Sequence, residues 1–332
     1  MSRVIYALSD SLEPYHSFWI RIGQYLNELE HKCIFTCDSR VVSNARKGDI
    51  VFIYRYSSSW NNIASEVKIA RDRGVKIISD VDDYLWFDGQ NRGWNQMRIR
   101  GYTQYLKECT LITTSTDRLR DQIRVMFRQP KCIIVPNTAP KYRKISKNDN
   151  SNENRIKIGW TGAPWTRPAD LLILKEPLRK LINDKPEIRL CHIGHLPGMP
   201  SFADIIDVNP NQVFTFPLGA HKDYIENLNL DIGLAPLESN CFNYYKSAIK
   251  AIEYSDNSIP WIASHSQPYI DLCDSWNYHG RLCSNTEDWL RNIYSLLDYQ
   301  TRKNEAKDIQ NLCNKYSSFA HGVRSWRKIL NS

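Results

Sequence analysis

Short apolar runs alternate with segments whose apolar residues recur at helical spacing, and the chain does this in two successive blocks. Arg3 to Leu8 alternates into a strand, and Tyr15 to Leu29 repeats apolar residues near a period of 3.6, so the chain opens as strand then helix. His31 to Cys37, Asp49 to Tyr54 and Val75 to Ser79 read as further strands, with a helix over Trp60 to Arg71. Leu111 to Thr114 and Cys132 to Val135, on either side of a helix over Asp117 to Phe127, complete the first block. KYRKISKNDNSNENR then breaks the pattern, polar and without period, and reads as a linker. The second block runs through a strand at Ile156 to Trp160, a helix over Asp170 to Ile182 and strands at Ile188 to Ile193 and Val213 to Phe216. A helix over Asp223 to Leu228 leads into Asp231 to Ala263, where an apolar strand, a polar turn, one helix and a second apolar strand follow in order. Helices ending in SFAHGVRSWRKIL finish the chain. This alternation predicts an α/β protein of two doubly wound Rossmann-like domains facing across a cleft, divided as 1–140 and 141–316.

Composition narrows the class. At 332 residues, 42% hydrophobic and 24% charged, the chain has the balance of a soluble globular protein with room for two cores. No run reaches the roughly 18 apolar residues of a membrane span. Nine cysteines without a Cys-x-x-Cys pair point to a reducing cytoplasm rather than to a disulfide framework or zinc. A net charge of +8 calls for an anionic partner. Arg98, Arg100, Lys107, Arg118, Arg120, Arg124, Arg128 and Lys131 crowd one stretch, interleaved with Trp94, Met97, Tyr102, Tyr105 and Leu106. That interleaving fits a helix resting on an anionic membrane surface, and equally a solvated helix pair with Glu108, Asp117 and Asp121 as partners. No RNA- or DNA-reading motif is present, so a nucleic acid partner has only the basic surface in its favour.

Candidate chemistry concentrates in three places. In the segment from Asp231, Asn243 is placed to cap the helix, with Tyr245, Ile249 and Ile252 on its core face and Lys246, Lys250 and Glu253 along another stripe. Lys246 in the first turn, beside unpaired N–H groups and the positive end of the dipole, suits a diphosphate, and Glu253 suits ribose hydroxyls. The competing reading is a solvated face with a Lys250 to Glu253 ion pair. The strand Val75 to Ser79 ends in SDVDDYLWF, putting Asp80, Asp82 and Asp83 at a strand end, where carboxylates can position an acceptor hydroxyl or act as base. An Asp-x-Asp there is also what a metal-dependent sugar transferase uses for Mn²⁺. His16 lies in the first strand-to-helix turn, which has no glycine, at the rim where a parallel sheet binds ligands. In the second block, TGAPWTRPA offers Gly162 for close backbone approach and Arg167 to reach a phosphate, and Gly194 ends the next strand.

Phe242 with Asn243, Lys246 with Ser247, Lys250, and Glu253 with Tyr254, followed by Ser258 to Pro260, resemble the donor-binding segment of retaining glycosyltransferases of the GT-B fold. The likeness is to the family 4-like group that builds bacterial surface polysaccharides. Asp80, Asp82, Asp83 and Trp86, and the turn Val135 to Asn137, match the same group, whereas Tyr245 stands where the wider family has a second glutamate. The resemblance implies transfer of a sugar, with retention and without metal or cofactor, from a nucleotide-diphosphate sugar to a glycan, lipid-linked or other hydroxyl acceptor. It implies donor binding by Gly162, Gly194, Asn243, Lys246, Ser247, Lys250 and Glu253. Catalytic roles fall to Lys246, Arg167 and Asp82, and an acceptor side to His16, Asp80 and Asp83. It further implies that a last helix, at about 317–332, completes the first domain. The cysteines place the protein in the cytoplasm, and the basic, aromatic stretch leaves a peripheral position on the inner face of the membrane open. Alternatives are a GT-B scaffold without activity that binds a polyanion, or a transferase acting on nucleic acid.

Overall fold

An apolar pentapeptide such as Ile50–Tyr54 has no polar side to offer water and belongs in a parallel sheet covered on both faces, where all five residues are buried. The computed structural model describes residues 3–12, 17–29, 31–56, 60–86, 96–128, 131–141, 155–161, 168–193, 204–206 and 229–331. They form two compact units. The first is Met1–Asn137 with Tyr245–Ser247 and Phe319–Ser332, and the second is Thr138–Tyr244 with Ala248–Ser318.

In the first unit β1 (Val4–Ser9), β2 (Lys32–Thr36), β3 (Ile50–Tyr54), β4 (Lys76–Val81), β5 (Leu111–Thr114) and β6 (Lys131–Ile134) make one parallel sheet, ordered β2-β1-β3-β4-β5-β6. Successive side chains leave on opposite faces. Ile50, Phe52 and Tyr54 pack with Phe18, Ile22 and Trp326, whereas Val51 and Ile53 pack with Ile63, Val67, Tyr102 and Leu119. The helix Phe319–Asn331 covers the first of these faces, Trp326 meeting Phe52 edge to face at 5.4 Å. Its terminal carbonyls at Ile329 and Leu330 accept from Lys76 Nζ (2.7 Å) and Arg3 Nη1 (2.8 Å), which places two cations at the negative end of the helix dipole.

The basic helix Gln96–Glu108 packs against Trp60–Asp72 on the other face. Tyr102, Tyr105 and Leu106 are buried there, so the apolar side that a bilayer would need belongs to the core; Met97 remains exposed. Among the described residues no helix is long and apolar enough to cross a membrane.

In the second unit β7 (Lys157–Trp160), β8 (Arg189–Ile193), β9 (Asp204–Ile206), β10 (Ile232–Ala235), β11 (Trp261–Ser264) and β12 (Arg281–Cys283) are again parallel, ordered β12-β11-β10-β7-β8-β9. Helices Ile249–Asp256 and Tyr299–Tyr316 pack together over one face, and Lys175–Asp184 and Thr286–Leu297 over the other. Asn285 and Asp298 cap two of these helices by accepting from the N–H groups of Asp288 (2.9 Å) and Thr301 (2.8 Å).

The single helix expected over Asp170 to Ile182 is two, Pro168–Leu172 and Lys175–Asp184. Pro177 has no N–H to donate and its ring crowds the carbonyl four residues back, so it is accommodated only in the first turn of a new helix. Short β9 and β12 and the helix Arg40–Asn44 carry too few residues for a periodic signal. The strand expected at Val213 to Phe216 and the helix at Asp223 to Leu228 lie outside the described residues.

Candidate functional site

Counted from its own first strand, the second sheet has the order 3-2-1-4-5-6, and it reverses direction between β7 and β10. Ligands of open parallel sheets bind beyond the carboxyl ends of the strands at such a reversal. Tyr254 is built into it. Its buried ring lies on Gly233 of β10, where a Cβ would come within 2.8 Å of the ring carbons. Its hydroxyl accepts from the Thr161 N–H just beyond β7 (3.0 Å) and donates to the Leu234 carbonyl of β10 (3.0 Å). Burial raises the phenol well above its ordinary range, so it remains a neutral donor. One hydroxyl thus fixes the helix Ile249–Asp256 to both strands of the reversal.

The residue before it, Glu253, is 1% exposed and accepts from Lys250 Nζ at 2.7 Å. The ion pair allowed by their spacing is therefore formed, with a carboxylate held in a dry position beside the switch.

The helix starts later than its spacing predicts. Two helices are present, Cys241–Tyr244 and Ile249–Asp256, and neither Lys246 nor Tyr245 is in them. Asn243 is not the cap; that position is Ala248, without a side-chain bond. Buried Asn243 instead donates from Nδ2 to Asp170 Oδ1 (2.8 Å) and to the Glu238 carbonyl (2.9 Å). Tyr245 leaves the helical core face, its ring tilted against Tyr84 with centroids 4.5 Å apart and its hydroxyl donating to Gln122 Oε1 at 3.1 Å. The Tyr245 carbonyl accepts from Thr116 Oγ1 at 3.1 Å, and Ser247 Oγ pairs with Asn137 Nδ2. Side-chain and backbone contacts of this kind outweigh the few tenths of a kcal/mol per residue that helix propensity supplies. Lys246 therefore does not share a stripe with Lys250 and Glu253: its ammonium lies 2.9 Å from Asp83 Oδ1, within the first unit.

In that unit the aspartates of β4 and its exit divide into two sets. Asp80 does not emerge at the strand edge. It is fully buried, takes Arg21 in a bidentate pair (2.8 Å on each oxygen) and accepts from Thr113 Oγ1 at 2.6 Å, which removes it from contact with any acceptor. Arg21 goes on to donate to the Val135 carbonyl (2.8 Å) and Asn137 Oδ1 (2.7 Å), so one guanidinium joins a helix, the sheet and the turn after β6. Burial, the largest influence, would lower its pKa, but Asp80, Asp82 and Tyr54 together outweigh burial and raise it.

Asp82 and Asp83 do lie at the strand end. Asp82 accepts from Arg55 Nε on Oδ1 and from the Tyr54 hydroxyl on Oδ2, both at 2.8 Å. Ser17 Oγ pairs with the same tyrosine hydroxyl. Asp83 accepts from Arg55 Nη2 on one oxygen and Lys246 on the other. Burial raises the Asp82 carboxyl above the usual aspartate range; Arg55 opposes this, and Asp83 and Asp80 add to it. Among the described residues no three His, Cys, Asp or Glu side chains converge as metal ligands.

His16, Gly162, Arg167 and Gly194 lie outside the described residues. Sequence reasoning missed Arg21, Tyr54 and Arg55. The last two had a usable signal, a polar pair at the carboxyl end of a continuous apolar strand; Arg21, inside a helical pattern, had none.

No family model matches the sequence, and a search of curated proteins finds no match. Solved structures are similar in fold. A glycosyltransferase from Rickettsia africae ESF-5 superposes with a TM-score of 0.61 at 13% identity, over 99% of this chain and 98% of that one. A UDP-forming α,α-trehalose-phosphate synthase from Burkholderia xenovorans gives 0.59 at 10% identity, over 100% and 99%. A mutant of S. aureus TarM, in complex with UDP, alpha-GlcNAc-glycerol and Fondaparinux, gives 0.58 at 13% identity over 86% of this chain. This chain spans 56% of that TarM chain. Likeness at such identities is a likeness of fold: the chain carries the GT-B fold, two Rossmann-like domains in one polypeptide.

Proposed function

We propose that this chain is a glycosyltransferase that moves a sugar from a nucleotide-diphosphate donor to a hydroxyl acceptor in polysaccharide or glycoconjugate synthesis, with retention and without a metal. The observation that supports the reading most is the Tyr254 hydroxyl bond across the β7 and β10 reversal, because it anchors the helix carrying Glu253 and Lys250 to the two strands between which open parallel sheets bind ligands. Glu253 accepts from the ribose hydroxyls, and Lys250 holds that carboxylate in place through their ion pair. Lys246 and Arg167 stabilise the departing diphosphate, the charge that grows most as the glycosidic bond breaks. For Lys246 this requires exchanging Asp83 for a phosphate oxygen. Asp82 and Asp83 orient the acceptor. A metal-free reaction is supported by the pairing of each aspartate of the DVDD turn with an arginine or lysine, which leaves no bare carboxylate pair to hold a divalent ion. Solved GT-B structures described as UDP-forming or holding UDP make UDP sugars the first donors to test.

The test is a panel of nucleotide sugars followed by thermal shift, since a ligand at a hundredfold its Kd adds about 2.7 kcal/mol of stability. Stabilisation by one donor, release of its nucleotide diphosphate in excess EDTA and a donor affinity that falls by about 1.5 to 3 kcal/mol in Glu253→Gln are expected. No stabilisation by any nucleotide or nucleotide sugar would refute the reading.

A further inference from the structure

Resting on the transferase reading, we propose that Arg55 is a positioning residue of the acceptor side: it holds Asp82 and Asp83 together as one fixed pair at the end of β4. Four observations converge on it.

The first is connectivity. Asp82 and Asp83 are consecutive, and consecutive side chains of an extended strand point to opposite faces. Beyond Val81 the chain leaves β4, and Arg55 gathers both carboxylates with one guanidinium, Nε on Asp82 and Nη2 on Asp83. Tyr54, the residue before it, takes the other oxygen of Asp82, so two consecutive residues of one strand end grip two of the next.

The second is backbone conformation. Arg55 has φ of +42°, a left-handed value that a long side chain rarely adopts. Such a residue persists only where its surroundings over-determine it, and non-glycine residues of this kind cluster at functional sites.

The third is exposure. The side chains of Arg21 and Asp80, a pair with a structural role, are 2% and 0% exposed, whereas those of Arg55, Asp82 and Asp83 are 17%, 11% and 13% exposed. A pair serving only the core would be sealed as the first one is. This set keeps a partly exposed face that the sealed pair lacks, as a site that meets a ligand needs.

The fourth is charge. Two carboxylates face Arg55 and Lys246, so the set is neutral as it stands. When Lys246 turns to a diphosphate, Arg55 alone keeps the two aspartates from repelling each other apart.

Lysine cannot replace a fork that reaches two carboxylates, so the informative variant is Arg55→Gly, which suits the left-handed backbone and leaves a guanidinium-sized space. The variant should retain its fold by circular dichroism and still bind the donor, no more tightly than wild type. It should lose about ten- to a hundredfold in kcat, the range of a displaced positioning group. Added guanidinium should recover several-fold of that loss, and potassium chloride at equal ionic strength should not. Unchanged kcat, or recovery by both salts alike, would overturn the proposal. If wild type transfers no sugar, the transferase reading falls by itself, and ¹³C carboxyl resonances decide on Arg55. Removal of Arg55 should move both the Asp82 and Asp83 signals and guanidinium should return them; signals that stay in place would overturn the assignment.

Discussion

Two sheets of the same parallel construction end their strands in opposite ways. The carboxyl side of the first sheet is filled with charge: Arg21 against Asp80 just inside β4, and beyond its end Arg55 against Asp82 and Asp83, and Lys246 against Asp83. Among the described residues the strand ends of the second are joined by neutral groups, the Tyr254 hydroxyl between β7 and β10 and Ser264 Oγ accepting from the Leu237 N–H at 2.9 Å, with Lys250 and Glu253 one step away on a helix. The difference has a physical consequence. Buried charge is stable only while every partner is present, so the first unit tolerates little change at its strand ends. Among the described residues the second unit ties its strand ends with neutral hydrogen bonds, and a buried carboxylate close by, Asp170, accepts from the Glu238 N–H and Asn243 Nδ2, both at 2.8 Å, rather than from a cation.

The sharpest way to break the comparison is to orphan a charge in the first unit. Arg21→Met leaves Asp80 with no cation and only the Thr113 hydroxyl, in a position without water. Losing one partner of a buried pair costs about 3 to 5 kcal/mol, and guanidinium denaturation followed by tryptophan fluorescence should register that loss in the transition of the first unit. Adding Asp80→Asn to Arg21→Met should recover part of it, because the orphaned charge is then gone. A double variant no better than the single would show that Arg21 matters through its bonds to Val135 and Asn137 instead.

The matching change in the second unit should be milder. Tyr254→Phe keeps the ring on Gly233 and removes only the hydroxyl, leaving the Thr161 N–H and the Leu234 carbonyl to find other partners. About 1 to 3 kcal/mol of stability should be lost, with donor affinity falling as the helix carrying Glu253 loosens. A loss as large as that of Arg21→Met would remove the contrast between charged and neutral strand ends.

The contrast also explains what the sequence made legible. Apolar runs such as Ile50–Tyr54 and Leu111–Thr114 announce buried parallel strands because period and burial are properties of the segment itself. The pairing of Lys250 with Glu253 is local for the same reason. Arg21 with Asp80 spans 59 residues and Lys246 with Asp83 spans 163, and nothing within either segment declares its partner. The break at 245–247 follows from such distant contacts: Tyr245 has a helical neighbour pattern in sequence, but Tyr84, Gln122 and Thr116 hold it elsewhere. Asp80 was misread because a residue counted as a strand end is still one position inside β4, where it pairs in register with Tyr54.

The smallest expected effect tests how far charge rules the first unit. Asp82 faces Arg55 and Tyr54 directly, with Asp83, Asp80 and Arg21 around it and Lys246 beyond Asp83. Its carboxyl is raised by burial, so the folded state holds the proton more tightly than the unfolded chain, where aspartate titrates near about 3.9. The stabilisation from that proton is complete below the unfolded value and disappears as pH rises through the folded one, so this group lowers stability between acid and neutral pH. Asp82→Asn has no such step. It loses an acceptor for Arg55 or Tyr54 at every pH, so it should be the less stable protein, but its deficit against wild type should be widest near pH 4 and narrow toward pH 7. Paired urea titrations across that range measure the drift. A deficit that widens toward pH 7 would mean that Arg55 holds Asp82 below the aspartate range, with attraction rather than burial deciding the chemistry of this strand end.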